Sequence, residues 1–181
     1  MSVTDPLGGH SPATGGPGSA RDLAARWAML PLRLFLGFTF LYAGVDKYVD
    51  GGPFSAVMNT DTMELMLTAS RDNAAVPWLV DRALDAPELM GHGTAIAEIV
   101  LGAALLLGLF TRWAAALSAL LALSFWLTVS WSSDPYYFGA DLPLVFGFVT
   151  LALAGGGPGT LDGLLRSRPW FLPQRNRRLF S

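Results

Sequence analysis

The sequence predicts an all-α fold, a polytopic membrane four-helix bundle with both termini in the cytoplasm and a long outer loop between spans one and two. Three observations predict it. Hydrophobic residues make up 52% of the chain and charged residues only 14%, a composition typical of integral membrane proteins. Four apolar stretches are about long enough to cross a bilayer as helices. Basic residues are concentrated at alternate connections between these stretches.

The chain divides into a tail, a membrane domain and a second tail. Residues 1–20 are rich in Gly, Pro and Ser, which predicts a disordered N-terminal tail. Residues 21–165 form the predicted four-span membrane domain. Residues 166–181 form a basic cytoplasmic tail that suits anionic lipid headgroups. The predicted spans cover about 31–48, 87–110, 113–131 and 141–156.

The elements follow in order along the membrane domain. A short amphipathic helix at 21–30 precedes span one, in which Pro31 suits the first helical turn. The outer loop, 49–86, is far longer than a connector needs, which predicts a functional lid or a small packed cap. Pro87 opens span two. Thr111-Arg112 is predicted to be a two-residue hinge, short enough to make spans two and three antiparallel neighbours.

Basic residues give the orientation of the four spans. One side of the membrane would hold Arg21, Arg26, Arg33, Arg112, Arg166, Arg168, Arg175, Arg177 and Arg178. The other side would hold only three basic residues among many acidic ones, namely Lys47, Arg71 and Arg82. The positive-inside rule therefore predicts a multi-pass protein of the inner (plasma) membrane, with both termini inside and the acidic loop outside.

Glu98 is the one acidic residue well inside a predicted span, and a buried carboxylate needs either a proton or a cation beside it. Span one carries Arg33, Gly37, Phe40, Gly44 and Lys47 at intervals of 4, 3, 4 and 3 residues, so they share one helix face. Span two repeats these intervals through Glu98, Gly102, Leu105, Leu109 and Arg112. If Arg33 and Arg112 both lie at the inner interface, Lys47 and Glu98 lie at the same depth, because each is 14 residues along its helix from one of these arginines. At 1.5 Å per residue, that depth is roughly 21 Å from the inner interface. We therefore expect Lys47 and Glu98 to meet.

Two interpretations of this pair stay open. It could be a structural clamp between spans, because polar residues often join helices in membranes. It could instead form a polar pocket below the outer loop that binds an anion or a quinone headgroup, with Glu98 and Lys47 as candidate catalytic residues. Trp126, Tyr136 and Asp141 are candidates for lining a substrate or quinone pocket. The alternatives for them are bundle core for Trp126 and a solvated turn for Tyr136 and Asp141.

The remaining charged candidates are predicted to anchor the chain at the inner face of the membrane. Arg33, Arg112 and Asp162 are predicted inner-face anchors, with the two arginines snorkelling to the interface.

The chain has no cysteine, which excludes a dithiol centre and iron–sulfur ligation by its own residues. Its two histidines are too far apart for a bis-histidine haem, and its glycine clusters do not follow strands as nucleotide loops do. No metal site and no nucleic-acid partner is indicated.

Several segments together resemble the DoxX/DoxD family of four-span membrane proteins. The segments that carry the resemblance are Arg33-x-x-x-Gly37-x-x-Phe40-x-x-Ala43-Gly44-x-x-Lys47, Glu98-x-x-x-Gly102, Gly108-x-x-Thr111-Arg112 and Gly157-Pro-Gly159-Thr-Leu-Asp162. The long loop after span one looks more like the DoxD branch, the small membrane subunit of thiosulfate:quinone oxidoreductase. The resemblance implies a four-helix membrane bundle.

The resemblance also implies a function. The chain would be a membrane subunit of a respiratory-chain oxidoreductase that passes electrons from a sulfur compound such as thiosulfate to quinone. Without cysteine, thiosulfate oxidation would need a partner subunit, a bound cofactor or direct contact between anion and quinone. The alternative is a non-catalytic accessory or assembly subunit of a respiratory membrane complex, and a third hypothesis is a dimeric small-solute transporter. The expected partners are the lipid bilayer and either other membrane subunits or further copies of the chain.

Overall fold

The computed structural model describes residues 20–49 and 60–163, and every regular element in these two ranges is helical, as the sequence predicts. The helices are α1 (Ala20–Trp27), α2 (Met29–Asp46), α3 (Thr60–Arg71), α4 (Pro77–Leu84), α5 (Pro87–Leu107), α6 (Thr111–Thr128) and α7 (Asp141–Ala154). A 3-10 turn, Tyr136–Phe138, precedes α7. The predicted tails lie outside the described residues, except for Ala20, which begins α1.

Two helical stretches of the described chain are long and apolar enough to cross a membrane. They are Ala20–Asp46, in which α1 and α2 continue through Ala28, and Pro87–Leu107. Ala28 itself has helical backbone angles, φ −55° and ψ −35°, so the two helices are nearly continuous. α7 is apolar as well but has 14 residues.

Helices α2 and α5 pack against each other along a seam of glycines. A Cβ atom added to Gly44 would lie 2.7 Å from the carbonyl oxygen of Ala95, and one added to Gly102 would lie 2.5 Å from the backbone nitrogen of Leu41. Only hydrogen fits at these two points, because the backbones themselves are in contact. The seam therefore fixes the register of the two helices.

The connection between α5 and α6 differs from the predicted hinge. α5 ends at Leu107 because Gly108 adopts the left-handed conformation, with φ 69°, and the N–H of Leu109 donates to the carbonyl of Ala104 at 2.9 Å. Phe110 also has a positive φ, 45°. Thr111 and Arg112 are thus the first residues of α6, and the prediction of a hinge at these two positions is wrong. Leu109 and Arg112 consequently do not extend the helical stripe of Glu98.

Helix α7 packs chiefly against α6 and also reaches α2. The buried core between them contains Leu36, Leu105, Leu151 and an edge-to-face pair of aromatic rings, Phe40 and Phe148, whose centroids lie 4.4 Å apart. Small residues of α6, such as Ala115 and Ser118, allow the helices to approach closely.

The described part of the predicted outer loop is a packed cap formed by α3 and α4. Its own apolar cluster contains Met63, Leu67, Val80 and Ala83 and packs against Met90 in the first turn of α5. The N–H of Ala75 donates to the carbonyl of Leu127 near the end of α6, at 2.9 Å. The cap, as we name α3 and α4, therefore lies at the end of the packed helices where α5 begins and α6 ends.

Candidate functional site

The structure brings Lys47 and Glu98 together, as the spacing predicts. Lys47 follows the last residue of α2, and Glu98 lies in the middle of α5 with Gly102 one turn further along. Their ammonium and carboxylate groups form an ion pair, and the two side chains are only 9% and 4% exposed. The glycine seam explains the agreement, because it sets the register of α2 on α5 whatever follows Leu107.

Two further contacts hold the Lys47 ammonium group. It lies 3.5 Å from the carbonyl oxygen of Ala43 and 6.0 Å from the centroid of the Phe125 ring. A cation above an aromatic face is attracted by the ring quadrupole. Residues from α2, α5 and α6 therefore all contribute to the surroundings of one buried cation.

A second carboxylate, Asp141, lies near this pair. It is the first residue of α7, and the Ser130 hydroxyl donates a hydrogen bond to its Oδ2. Asp141 is within electrostatic range of both Lys47 and Glu98. We call Lys47, Glu98, Ser130 and Asp141 the lysine cluster, and the end of the molecule that contains it and the cap is the lysine end.

Sequence analysis missed two residues at this end. Ser130 carries no charge and lies just after α6, so only its hydrogen bond to Asp141 identifies it. Asp46, which precedes Lys47 in the chain, is 7% exposed. The feature that identifies Asp46 is the burial of its carboxylate, and burial cannot be read from the sequence alone.

The lysine cluster can bind and orient a polar group and can exchange protons. An ammonium group donates hydrogen bonds to a carbonyl or anionic oxygen, whereas the carboxylates accept bonds or donate them when protonated. Buried charges interact strongly because little water screens them. These properties suit a ligand headgroup whose charge changes during a reaction.

The other two pocket candidates lie in different surroundings. Trp126 is half-buried and packs edge-to-face on Trp131, with ring centroids 4.8 Å apart. Tyr136 lies in the 3-10 turn and is 65% exposed. A pocket-lining role for these two residues stays a prediction.

At the opposite end of the packed helices, Arg33 is buried rather than snorkelling, so that prediction is wrong. Arg33 is 2% exposed, and its Nη1 and Nη2 donate to the carbonyl oxygens of Gly156 and Gly159 at 2.8 and 3.1 Å. Its Nε atom is buried with no hydrogen-bond acceptor among the described residues. The guanidinium group is thus held by the loop that follows α7.

Asp162 holds the same end together by capping α6. Its carboxylate accepts hydrogen bonds from the backbone N–H groups of Phe110 and Thr111 at 2.9 and 3.1 Å, and its own N–H donates to the carbonyl of Gly108 at 3.2 Å. We call Arg33, residues 155–159 and Asp162 the arginine end. Arg112 is exposed and its guanidinium lies against Gly155, so anchoring at a lipid interface stays a prediction for it.

No group of three or more His, Asp or Glu side chains is placed to hold a metal ion in the part of the chain that the structure describes.

One surface pair, Tyr48 and His92, lies close to the lysine cluster in sequence. The Tyr48 hydroxyl and the Nδ1 atom of His92 are 3.1 Å apart, and the two rings are tilted against each other.

Comparison with known proteins adds one finding to this geometry. The family model for DoxX matches residues 28–131. The chain belongs to the DoxX family. The match extends from the start of α2 past the end of α6 and includes Lys47 and Glu98, whereas Asp141 and Asp162 lie beyond it. No curated protein and no solved structure matches the chain.

DoxX membership and the two long apolar helices together indicate a membrane protein. The exposed side chains along these helices are consistent with contact to the lipid bilayer. They include Phe35 and Phe38 of α2 and Ile96 and Val100 of α5.

Proposed function

We propose that this DoxX protein is a membrane subunit of an oxidoreductase that passes electrons from a sulfur compound such as thiosulfate to a quinone, and that the lysine cluster binds the quinone headgroup. The observation that carries the proposal is the buried ion pair of Lys47 and Glu98, with Asp141 in electrostatic range of Lys47, at the end of the packed helices where the cap lies. A buried group of ionisable residues in a membrane helix is a candidate functional site by default.

The chemistry of quinone reduction fits these residues. A quinone takes up two electrons and two protons to become a quinol, and two thiosulfate ions release two electrons when they join through a new S–S bond. The Lys47 ammonium group would donate a hydrogen bond to one quinone oxygen, where negative charge develops. Because the chain has no cysteine, electrons would arrive from a partner subunit, from a cofactor bound elsewhere, or directly from the anion.

The proposal includes a four-span topology in the inner (plasma) membrane, with both termini in the cytoplasm and the lysine end outside. α2, α5, α6 and α7 would be the spans. α6 has the same length as α2, 18 residues, and carries no charged residue between Ala114 and Leu127. The positive-inside rule supports the orientation, since the predicted outer loop, 49–86, carries six acidic residues and only two basic ones, Arg71 and Arg82.

Single introduced cysteines test this topology cleanly because the native chain has none. Asp72→Cys, in the cap, should react with a membrane-impermeant maleimide in intact cells. Arg21→Cys, in α1, should react only after the membrane is permeabilised. Labelling of both positions from the same side would contradict the four-span arrangement.

Purification in mild detergent, followed by native mass spectrometry, tests the function. We expect the wild-type protein to retain quinone and, with its partners, to support thiosulfate-dependent quinone reduction. Glu98→Gln and Lys47→Met should lower quinone reduction about tenfold to a hundredfold, as expected from loss of a hydrogen bond to a charged group. Glu64→Gln, an exposed residue of the cap, is the matched control and should leave the rate unchanged. Wild-type turnover and assembly in Glu98→Gln would contradict both the quinone site and a structural clamp.

A second candidate function is a non-catalytic accessory subunit of a respiratory membrane complex. The observation that favours it is the row of exposed aromatic side chains on α2, formed by Phe35, Phe38 and Tyr42, which offers an apolar surface to a neighbouring subunit. Copurification with a respiratory complex whose activity survives deletion of this chain would favour this function over quinone binding.

A further inference from the structure

We infer that Asp141 is the proton-carrying acid of the lysine cluster, with the Ser130 hydroxyl orienting it. The inference deepens the proposed function, because a quinone that binds at this cluster needs protons as well as a hydrogen-bond donor. Its structural basis is independent of any quinone, however. It rests on how the buried charges are distributed among Lys47, Glu98 and Asp141.

The charges of the cluster do not balance when every group is ionised. One ammonium group, that of Lys47, lies within electrostatic range of two carboxylates, those of Glu98 and Asp141. Burying an uncompensated negative charge away from water is costly. A single proton bound to one carboxylate makes the Lys47, Glu98 and Asp141 group neutral.

The geometry assigns that proton to Asp141. The Lys47 ammonium group is bonded directly to Glu98, so Glu98 is the carboxylate whose charge is matched. The bonded partner of Asp141 is the neutral Ser130 hydroxyl. A hydroxyl donates to a carboxylate and accepts from a carboxylic acid, and so it can hold Asp141 in both states.

Asp141 is also better placed than Glu98 to exchange a proton with water. Glu98 is 3% exposed in the middle of α5, whereas Asp141 is half-buried at the first position of α7. The charged groups that act on Asp141 from neighbouring elements are Lys47 at the end of α2 and Glu98 in α5. Two further titratable residues, Asp134 and Tyr136, precede Asp141 in the segment that joins α6 to α7.

In the proposed reaction, Asp141 gives one of the two protons, and water at the lysine end gives the other to the second quinone oxygen. The quinone gains two electrons from the sulfur compound or from the partner subunit, and one of its oxygens takes the proton from the Asp141 carboxyl group. Asp141 is left as a carboxylate, with Ser130 donating to it, and regains a proton from water at the lysine end. Glu98 stays paired with Lys47 throughout.

Infrared difference spectroscopy tests the assignment on the purified protein in nanodiscs without quinone. A protonated carboxyl group has a carbonyl stretching band that an ionised carboxylate lacks. We expect a band that titrates with pH in the wild type and disappears in Asp141→Asn. Ser130→Ala should keep the band and shift its frequency, because the carboxyl group loses its hydrogen-bond partner.

Two further variants complete the design. Ser124→Ala removes a hydroxyl of α6 that, within the described residues, donates to the carbonyl of Leu121 at 2.7 Å, and it should leave the band unchanged. Glu98→Gln should keep the band, because the substitution leaves the Asp141 carboxyl group and its Ser130 partner in place. A band that survives Asp141→Asn and disappears in Glu98→Gln would overturn the assignment, as would a wild-type protein that shows no such band at any pH.

The same preparation distinguishes this inference from the proposed function. A band that follows Asp141 in a protein that binds no quinone would support the proton site and contradict the quinone site. Quinone binding with no band that follows Asp141 would support the proposed function and overturn the inference.

Discussion

The two ends of the packed helices each bury one cation of α2, and they compensate its charge in different ways. Lys47 is bonded to a carboxylate, whereas Arg33 is bonded to two backbone carbonyl oxygens. Carbonyl groups do not titrate and arginine does not lose its proton, so the contacts of Arg33 keep the same charge at every ordinary pH. Lys47 is paired with an acid, whose charge can change. This difference supports the proposal of proton chemistry at the lysine end and of a structural role for Arg33.

Removal of the Glu98 carboxylate should have the largest effect on stability. Glu98→Ala leaves the Lys47 ammonium group buried without its anion, and loss of one partner of a buried ion pair costs about 3–5 kcal/mol. The double variant Lys47→Met with Glu98→Leu should recover most of this loss, because an apolar pair of similar volume replaces both charges. Thermal unfolding in a single detergent measures both. A double variant as unstable as the single one would show that the pair stabilises the fold through more than charge matching.

Filling the glycine seam between α2 and α5 with a methyl group should have the next largest effect on stability. In Gly102→Ala the new methyl group would lie 2.5 Å from the nitrogen of Leu41, so α2 and α5 must move apart at a cost of about 1–3 kcal/mol. Gly93→Ala in the same helix is the matched control, since no atom lies within 4 Å of the added group. That variant should be as stable as the wild type or more stable. Equal effects of the two substitutions on the unfolding temperature would show that the seam does not set the register.

Arg33→Met tests the structural role of the arginine end. The substitution removes the donors to Gly156 and Gly159, and hydrogen bonds of charged groups contribute about 1.5–3 kcal/mol. Unfolding in detergent should show this loss, whereas quinone reduction per folded molecule should not change. Arg112→Met, at an exposed position, should change stability by less than about 0.5 kcal/mol. A fall in turnover without a loss of stability in Arg33→Met would place chemistry at the arginine end.

Asp162→Ala should have a smaller effect that is again confined to stability. The carboxylate caps the backbone N–H groups at the start of α6, and loss of such a cap costs about 1–2 kcal/mol. Asp162→Asn keeps an oxygen acceptor and should retain most of the stability. The unfolding temperatures of the two variants, measured side by side, check this order. If Asn is as harmful as Ala, the charge of Asp162 matters more than its capping geometry.

The exposed ion pair of the cap should have the smallest effect. Arg71 donates to both carboxylate oxygens of Asp81, and this hydrogen bond holds the pKa of Asp81 below its usual value. The folded state therefore binds this proton more weakly than the unfolded state, and the contribution of the pair is present above the unfolded pKa of Asp81, about 3.9. It is lost as pH falls through the lower folded value. Asp81→Asn should be indistinguishable from the wild type below that range and slightly less stable above it, as an unfolding series against pH would show.

The helices and the meeting of Lys47 with Glu98 could be predicted from the sequence because both follow from local patterns. Apolar stretches of span length predict helices, and a helix face that carries glycines and charged residues at intervals of 3 and 4 predicts a close helix pair. Once α2 and α5 pack along that face, an ion pair between their one inward lysine and one inward glutamate follows. The four-span topology and the roles of the site residues stay predictions.

The hinge and the burial of Arg33 could not be predicted in the same way. Gly108 ends α5 through a left-handed backbone angle, and an apolar stretch that continues to Phe110 hides this end. The acceptors of Arg33 are carbonyl groups of a distant glycine-rich loop, and backbone carbonyls leave no mark in a sequence. The link between Ser130 and Asp141 likewise depends on how the segment before α7 folds back.

The contacts of Arg33 have a consequence for biosynthesis. The guanidinium donates to Gly156, which is 123 residues further along the chain, and α6 receives its cap from Asp162 later still. During translation, α2 must therefore wait with an unsatisfied cation while α5, α6 and α7 are made. The arginine end can close only when the ribosome has released residues 156–162, so a loop made after α7 completes the contacts of α2.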